Sequence, residues 1–254
     1  ALGMKRENIT VCDSKGVIYN SREDKDRMDE SKKAYAIDDN GKRRLGDAVA
    51  GKDLFLGLSG PTVLSTDMLI TMNASPIVLA MANPTPEIWP DDAKAARPDV
   101  IIGTGRSDFP NQVNNVLCFP FIFRGALDVG ASTINEEMKL ACVHAIADLA
   151  MAEQNDVVAG AYDGADLSFG PEYLIPKPFD PRLIAVVAPA VAQAAMDSGV
   201  ATRPITDMTA YVEKLTEFVY KSSIFMRPVF SQAKKEIKRV VIAEGEEERS
   251  LHAA

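Results

Sequence analysis

Histidine is nearly absent from this sequence. The chain has 254 residues and two histidines, His144 and His252. A histidine-based metal site needs more of them, at closer spacing. Cysteine is scarce as well. Cys12, Cys118 and Cys142 stand far apart, with no Cys-x-x-Cys pair. An odd, scattered set argues against a disulfide framework or a zinc site, and for reduced thiols in a cytoplasmic protein. Positive charge is in deficit: 28 Lys and Arg against 36 Asp and Glu leave a formal net charge of −8. An acidic chain without a basic block is a poor match for a phosphate backbone, so nucleic acid is not an expected partner. Long apolar runs are missing too. None approaches the ~18 residues of a membrane helix, and no leader pattern opens the chain, so no membrane partner is expected.

What is present is ordinary for a globular protein with a sizeable core: 46% apolar and 25% charged residues. The length suits one large domain, or one domain plus a fragment. Ala1-Leu2-Gly3 reads as the last turn of a helix with its glycine cap, which suggests a start inside a longer protein. Asn8–Asp13 reads as a short buried strand, and the charged stretch 23–35 as a solvated helix or surface excursion. Residues 53–60 form a second strand running into a small-residue turn. A helix follows over 61–72, capped by Ser65 or Thr66. Pro76–Ala82 is a third strand, stopped by Asn83-Pro84-Thr85-Pro86 because proline lacks the N–H. A short helix covers 91–96, and Val100–Ile102 makes a fourth strand.

Strands alternating with helices predict an α/β fold with a mostly parallel sheet. The strands are apolar throughout, as in sheets covered on both faces. Ligands of such sheets bind beyond the carboxyl ends of the strands. The four strand ends here are all small or polar: Asp13-Ser14-Lys15-Gly16, Ser59-Gly60-Pro61, Asn83-Pro84-Thr85 and Gly103-Thr104-Gly105. On one sheet edge they would line one crevice. The second half is more helical. Asn114–Val129 reads as an apolar helix containing a proline, Ile134–Ala152 as a helix with an acidic first turn, Arg182–Ser198 as a buried helix ended by Gly199, and Met208–Tyr220 as an amphipathic one. From Met226 the character changes: a polar, basic stretch over 226–239, then a new apolar run at 240–245.

Each candidate residue has two readings. Asp13 is placed to accept from ribose hydroxyls in a dinucleotide fold, with Ser14 and Lys15 beside it to hold a 2′-phosphate. It is equally ordinary turn chemistry. A carboxylate there favours NAD and a lysine favours NADP. Asn83 can bind a carboxylate or carboxamide, or simply cap the next segment. Asn114 and Asn115 open a helix and suit a small dicarboxylate, or one of them is an N-cap. Arg106 and Asp108 read as a local ion pair, and His144 as a packed core histidine. No glycine-rich GxGxxG loop precedes Asp13, and no nucleophile, base or metal set emerges.

The runs DSKGVIY (13–19), DLFLGLSGP (53–61), PIVLAMANPTPE (76–87) and GTGRSDFPNQVNNVLCFPFIFRGALD (103–128) resemble, in order and spacing, the cofactor domain of bacterial malic enzymes. The resemblance extends over residues 1–225. The last stretch, RVVIAEGEEERSLHAA (239–254), is similar to the opening of a phosphate acetyltransferase-like domain. Residues 226–239 then form a linker.

The resemblance implies an incomplete doubly wound Rossmann-like parallel sheet with a helical C-terminal portion. It implies oxidative decarboxylation of malate to pyruvate and CO₂ with NADP or NAD, and a homo-oligomer. Asp13, Ser14, Lys15, Ser59, Gly60, Asn83 and Thr104 would face the cofactor, and Asn83 and Asn115 the substrate. The family's catalytic tyrosine and lysine, its ligands for Mg²⁺ or Mn²⁺ and its glycine-rich loop would all lie upstream. No catalytic residue or metal ligand is therefore assigned here, and this polypeptide by itself is expected to be inactive. An amino-acid dehydrogenase domain would share the sheet but not NPTPE followed by NQVNN. A non-catalytic oligomerisation or regulatory module is the other alternative.

Overall fold

The computed structural model describes residues 3–22, 28–152 and 168–219. Glu153, Asp156, His252, the 226–239 linker and the 240–254 segment lie outside the described residues. The chain divides into two compact units, Ala1–Pro204 and Ile205–Ala254. In the second, a helix runs over 208–219, and Asp207 Oδ1 accepts from the Ala210 N–H in its first turn at 2.9 Å.

The first unit opens differently from the strand expected over Asn8–Asp13. Arg6–Asn8 is a 3-10 turn. Strand β1 (Cys12–Asp13) then pairs antiparallel with β2 (Gly16–Val17), Cys12 opposite Val17 and Asp13 opposite Gly16. The reason lies at Gly16, whose φ of 103° turns the chain back just after Asp13. A Cβ there would run into the Arg43 carbonyl. Turn chemistry therefore overrides the β-branched run. The crevice built on a sheet has three strand ends among the described residues, not the four expected.

Helix α1 (Glu30–Tyr35) follows, capped by Asp29, and then α2 (Leu45–Val49). The parallel sheet consists of β3 (Leu54–Gly57), β4 (Ile77–Ala80) and β5 (Ile101–Thr104), in that order. Gly57 pairs with Ala80 and Ala80 with Thr104, so the three carboxyl ends are level. Helix α3 (Thr66–Ile70) crosses between the first two strands, with Ser65 accepting from the Met68 N–H at its start. Helix α4 (Pro90–Ala96) crosses between the next two, with Pro90 in its first turn where no N–H is needed.

Both crossovers pack on one sheet face. Phe55, Val78, Ala80 and Ile102 meet Val49, Leu64, Leu69, Met72, Ile88, Ala93 and Val100 in one buried cluster. Arg97 closes the far end of α3, donating to the Leu69, Ile70, Met72 and Asn73 carbonyls at 3.0–3.4 Å and pairing with Asp99. On the opposite sheet face Leu54 and Leu56 of the edge strand β3 are 42% and 50% exposed.

Beyond the sheet stands a helical layer: α5 (Phe119–Asp128), α6 (Glu136–Met151) and α7 (Leu183–Asp197), with α7 packed on both others. The single helix expected over Asn114–Val129 is divided. Asn115–Leu117 is a 3-10 turn, and α5 begins at Phe119 with Pro120 in its first turn. Asn135 caps α6 from the Met138 N–H at 3.0 Å. The buried stripe of α6 is Met138, Cys142, Ala145 and Leu149. That spacing turns His144 outward, and it is exposed, not packed in a core. Helix α7 is buried along its length and carries Pro189 inside it. It stops at Gly199, with φ 74°.

Candidate functional site

Register brings Ser59, Gly60, Asn83 and Thr104 to one edge of the sheet, each within three residues of a level strand end. Ser59 and Asn83 are exposed there, and Thr104 is buried. Segment 112–113 continues along β5: Gln112 bridges Thr104, and the Val113 N–H donates to the Thr104 carbonyl at 2.7 Å. This carries Asn115 toward the same edge, and it is exposed. Asn114 is spent as a cap, accepting from the Val116 N–H at 3.0 Å. The turn it opens is a single 3-10 turn, too short to gather a helix dipole, so an anion site at a helix N-terminus is not what the two asparagines make. Arg106 pairs with Asp108 at 2.8 Å as expected, and also stacks over Trp89 at 5.2 Å.

Two residues not singled out in the sequence hold this edge together. Glu87 is fully buried. Its Oε1 accepts from the Ser59 N–H and its Oε2 from the Ala82 N–H, both at 3.0 Å. One carboxyl group thus ties the end of β3 to the end of β4. Gly57 is the space it needs, since a Cβ there would meet the Glu87 carboxyl. Asn111, at φ 54° and 5% exposed, does the same for β5. Its Nδ2 donates to the Ile102 carbonyl at 3.0 Å and the Pro171 carbonyl at 2.7 Å, and its Oδ1 accepts from the Leu174 N–H at 2.7 Å. A glutamate buried in an apolar, proline-rich loop has no solvent to face, so it needs donors.

Asp13, Ser14 and Lys15 are not on the parallel sheet but on the β1–β2 hairpin. The Asp13 carboxylate is fully engaged. Arg22 grips it with two hydrogen bonds of 2.9 and 2.8 Å, Lys32 Nζ donates at 2.9 Å, and the Lys15 N–H donates at 2.9 Å. Arg22, then Lys32 and the Lys15 amide, hold this carboxyl well below the usual carboxylate range, against the opposing effect of burial. The folded-state value is depressed, so the stabilisation is full above the unfolded value of about 3.9 and is lost as pH falls below it. Thermal unfolding of Asp13→Asn against the parent sequence should show a stability gap at pH 6 that closes as the pH is lowered below about 4. A gap that is constant with pH would count against the ion-paired carboxylate.

Among the described residues no group of three or more His, Cys, Asp or Glu could hold a metal ion. The described residues do not fit a divalent cation. No helix among the described residues is long and apolar enough to cross a membrane.

Level parallel strand ends with small, polar, partly exposed turns define the edge of a Rossmann-type domain. Residues 3–159 match the family model described as malic enzyme, NAD binding domain. The chain is 67% identical over 253 residues to the NADP-dependent malic enzyme of Haemophilus influenzae, covering 100% of this chain and 33% of that protein. It is 59% identical over 254 residues to the NAD-dependent malic enzyme of Rhizobium meliloti, with the same shares covered. The crystal structure of Entamoeba histolytica malic enzyme superposes with a TM-score of 0.71 at 32% identity, over 89% of this chain and 46% of that one. The chain belongs to the malic enzyme NAD-binding domain family and spans about a third of the length of those curated relatives.

Proposed function

We propose that this chain is the cofactor-domain part of a cytoplasmic malic enzyme that oxidatively decarboxylates malate to pyruvate and CO₂, with NADP as hydride acceptor. The single observation that carries this is the family match across a sheet edge where Ser59, Gly60, Asn83 and Thr104 are gathered. From that edge Asn83 and Asn115 donate to the malate carboxylates, and Asn83 also meets the nicotinamide carboxamide. The nicotinamide, when bound, accepts the hydride. This chain's residues bind and orient it, while the proton-transfer groups and metal ligands belong to the upstream part of the relatives. Residues 240–254 begin a further, phosphate acetyltransferase-like domain, after a linker over 226–239. All three cysteines are free thiols, in keeping with a cytoplasmic address.

NADP is preferred over NAD because Asp13 does not stand as a bare negative charge. Arg22, itself 6% exposed, neutralises it. Lys32 and Lys15 are then surplus positive charge suited to a 2′-phosphate. In the polypeptide that carries the upstream segment, Lys32→Ala should raise KM for NADP about tenfold and leave KM for NAD unchanged. An equal rise for both cofactors would remove Lys32 from 2′-phosphate recognition.

Among the described residues β3 is an edge strand with Leu54, Leu56 and Leu58 exposed, which supports it as the seat of the βα unit that would carry the glycine-rich loop. Without it, an apolar edge strand invites pairing between copies. The 254-residue chain in isolation therefore associates and lacks malic enzyme activity.

A further inference from the structure

Cys118 and Cys142 lie on different elements, 24 residues apart, yet their sulfurs touch. The Cys142 thiol donates to Cys118 Sγ at 3.4 Å. Cys142 sits on the inner stripe of α6 and is 1% exposed. Cys118 is half-buried at the head of α5, immediately after the 3-10 turn that begins with Asn115. Its own N–H donates to the Asn115 carbonyl at 3.1 Å. A buried thiol against a reachable one, in van der Waals contact, is the arrangement of an entry sulfur and a resolving sulfur.

We propose that Cys118 and Cys142 form an oxidisable dithiol site that takes a low-molecular-weight disulfide as its oxidant and closes to an intramolecular disulfide. Cys118, as thiolate, attacks one sulfur of the oxidant R–S–S–R. The S–S bond of the oxidant breaks, a Cys118–S–S–R bond forms, and R–S⁻ leaves. Cys142, as thiolate, then attacks Cys118 Sγ, expelling the second R–S⁻. The two protons released by the cysteines end on the two R–SH. Two protein thiols are oxidised and one small disulfide is reduced. The order of attack follows from access. Cys142 is buried, and burial, with the Cys118 contact added to it, holds its thiol up; the charge part of the Cys118 contact is gone once Cys118 is in the mixed disulfide, so Cys142 reacts second. Cys118 meets the oxidant first.

Closure requires the sulfurs to approach from 3.4 Å to about 2.05 Å. It would staple the head of α5, and with it the Asn115 turn, to α6. This goes beyond the nucleotide reading and does not depend on it. Cys12, on β1, is the internal control, its own thiol pushed up by burial and then by the Asp13 charge.

The test uses the 254-residue chain as it is, treated with oxidised glutathione under native conditions, then alkylated and mapped by mass spectrometry. The expected result is a loss of about 2 Da with a Cys118–Cys142 cross-linked peptide, Cys12 still alkylated, and full reversal by a dithiol reductant. Cys142→Ser should instead stop at the glutathione adduct on Cys118. Two results would overturn the proposal: a persistent glutathione adduct on Cys118 of the unmutated chain with Cys142 still alkylatable, or a cross-link that includes Cys12.

Discussion

Replacing Glu87 with alanine should lower the stability of the sheet unit by about 3–5 kcal/mol, the loss expected for two hydrogen bonds to one charged acceptor. The Ser59 and Ala82 N–H groups would keep no acceptor in that position. For a domain of this size the melting temperature falls by about 10 °C or more. Glu87→Gln is the informative companion. An amide offers one oxygen, so one of the two N–H groups would face an NH₂ donor, and the isosteric change should cost about 2–3 kcal/mol. If Glu87→Gln melts with the parent sequence, the carboxyl group is not the tie between β3 and β4. The consequence reaches the site, because Ser59 and Asn83 stand directly on those strand ends.

The second large effect is expected where helices α5 and α7 cross. Gly125 faces the partner's backbone so closely that a Cβ would run into the Ala188 carbonyl and lie 2.9 Å from Val191 Cβ and 3.1 Å from the Ala192 N atom. Backbone cannot swing aside as a flexible side chain does. Gly125→Val should therefore destabilise by about 3 kcal/mol, the upper range for overpacking, and shift the melting temperature down by about 6–12 °C. Gly46→Ala is the control. Its Cβ would meet only Met68 side-chain atoms at 3.6 Å or more. In α2 it should be neutral or stabilising by up to about 1 kcal/mol. Circular dichroism melts of the two variants decide the matter; similar losses in both would mean that the α5–α7 contact is not the cause.

The legible parts of this fold were those set by local chemistry. Ser65, one of two candidate caps with Thr66, accepts from the Met68 N–H as a cap does, and the acidic first turn expected for α6 is there in Glu136 and Glu137. The prolines of Asn83-Pro84-Thr85-Pro86 marked the end of β4. The three apolar runs at 54–57, 77–80 and 101–104 pair in parallel as their lack of alternation required.

What the sequence hid was decided at a distance. The Asn8–Asp13 run has strand composition, but Gly16 reverses the chain and Arg43 fills the space beside it. His144 sits among apolar residues, yet the helical period places it outside. Of the candidate site, the exposed residues at strand ends were visible from their position alone. Glu87, Asn111, Arg22 and Lys32 were not, because each acts on a partner many residues away in the chain. Spacing cannot show such pairs; only burial and donor counting can.

The most direct test of the central claim is malate-dependent reduction of NADP, followed together with pyruvate formation. It is measured on this chain alone and on the polypeptide in which the upstream segment of its relatives precedes it. Turnover with one pyruvate per NADPH by the longer polypeptide, and none by the 254-residue chain, is the predicted result. Turnover by the chain alone, or none by the longer polypeptide with either cofactor, would contradict the account.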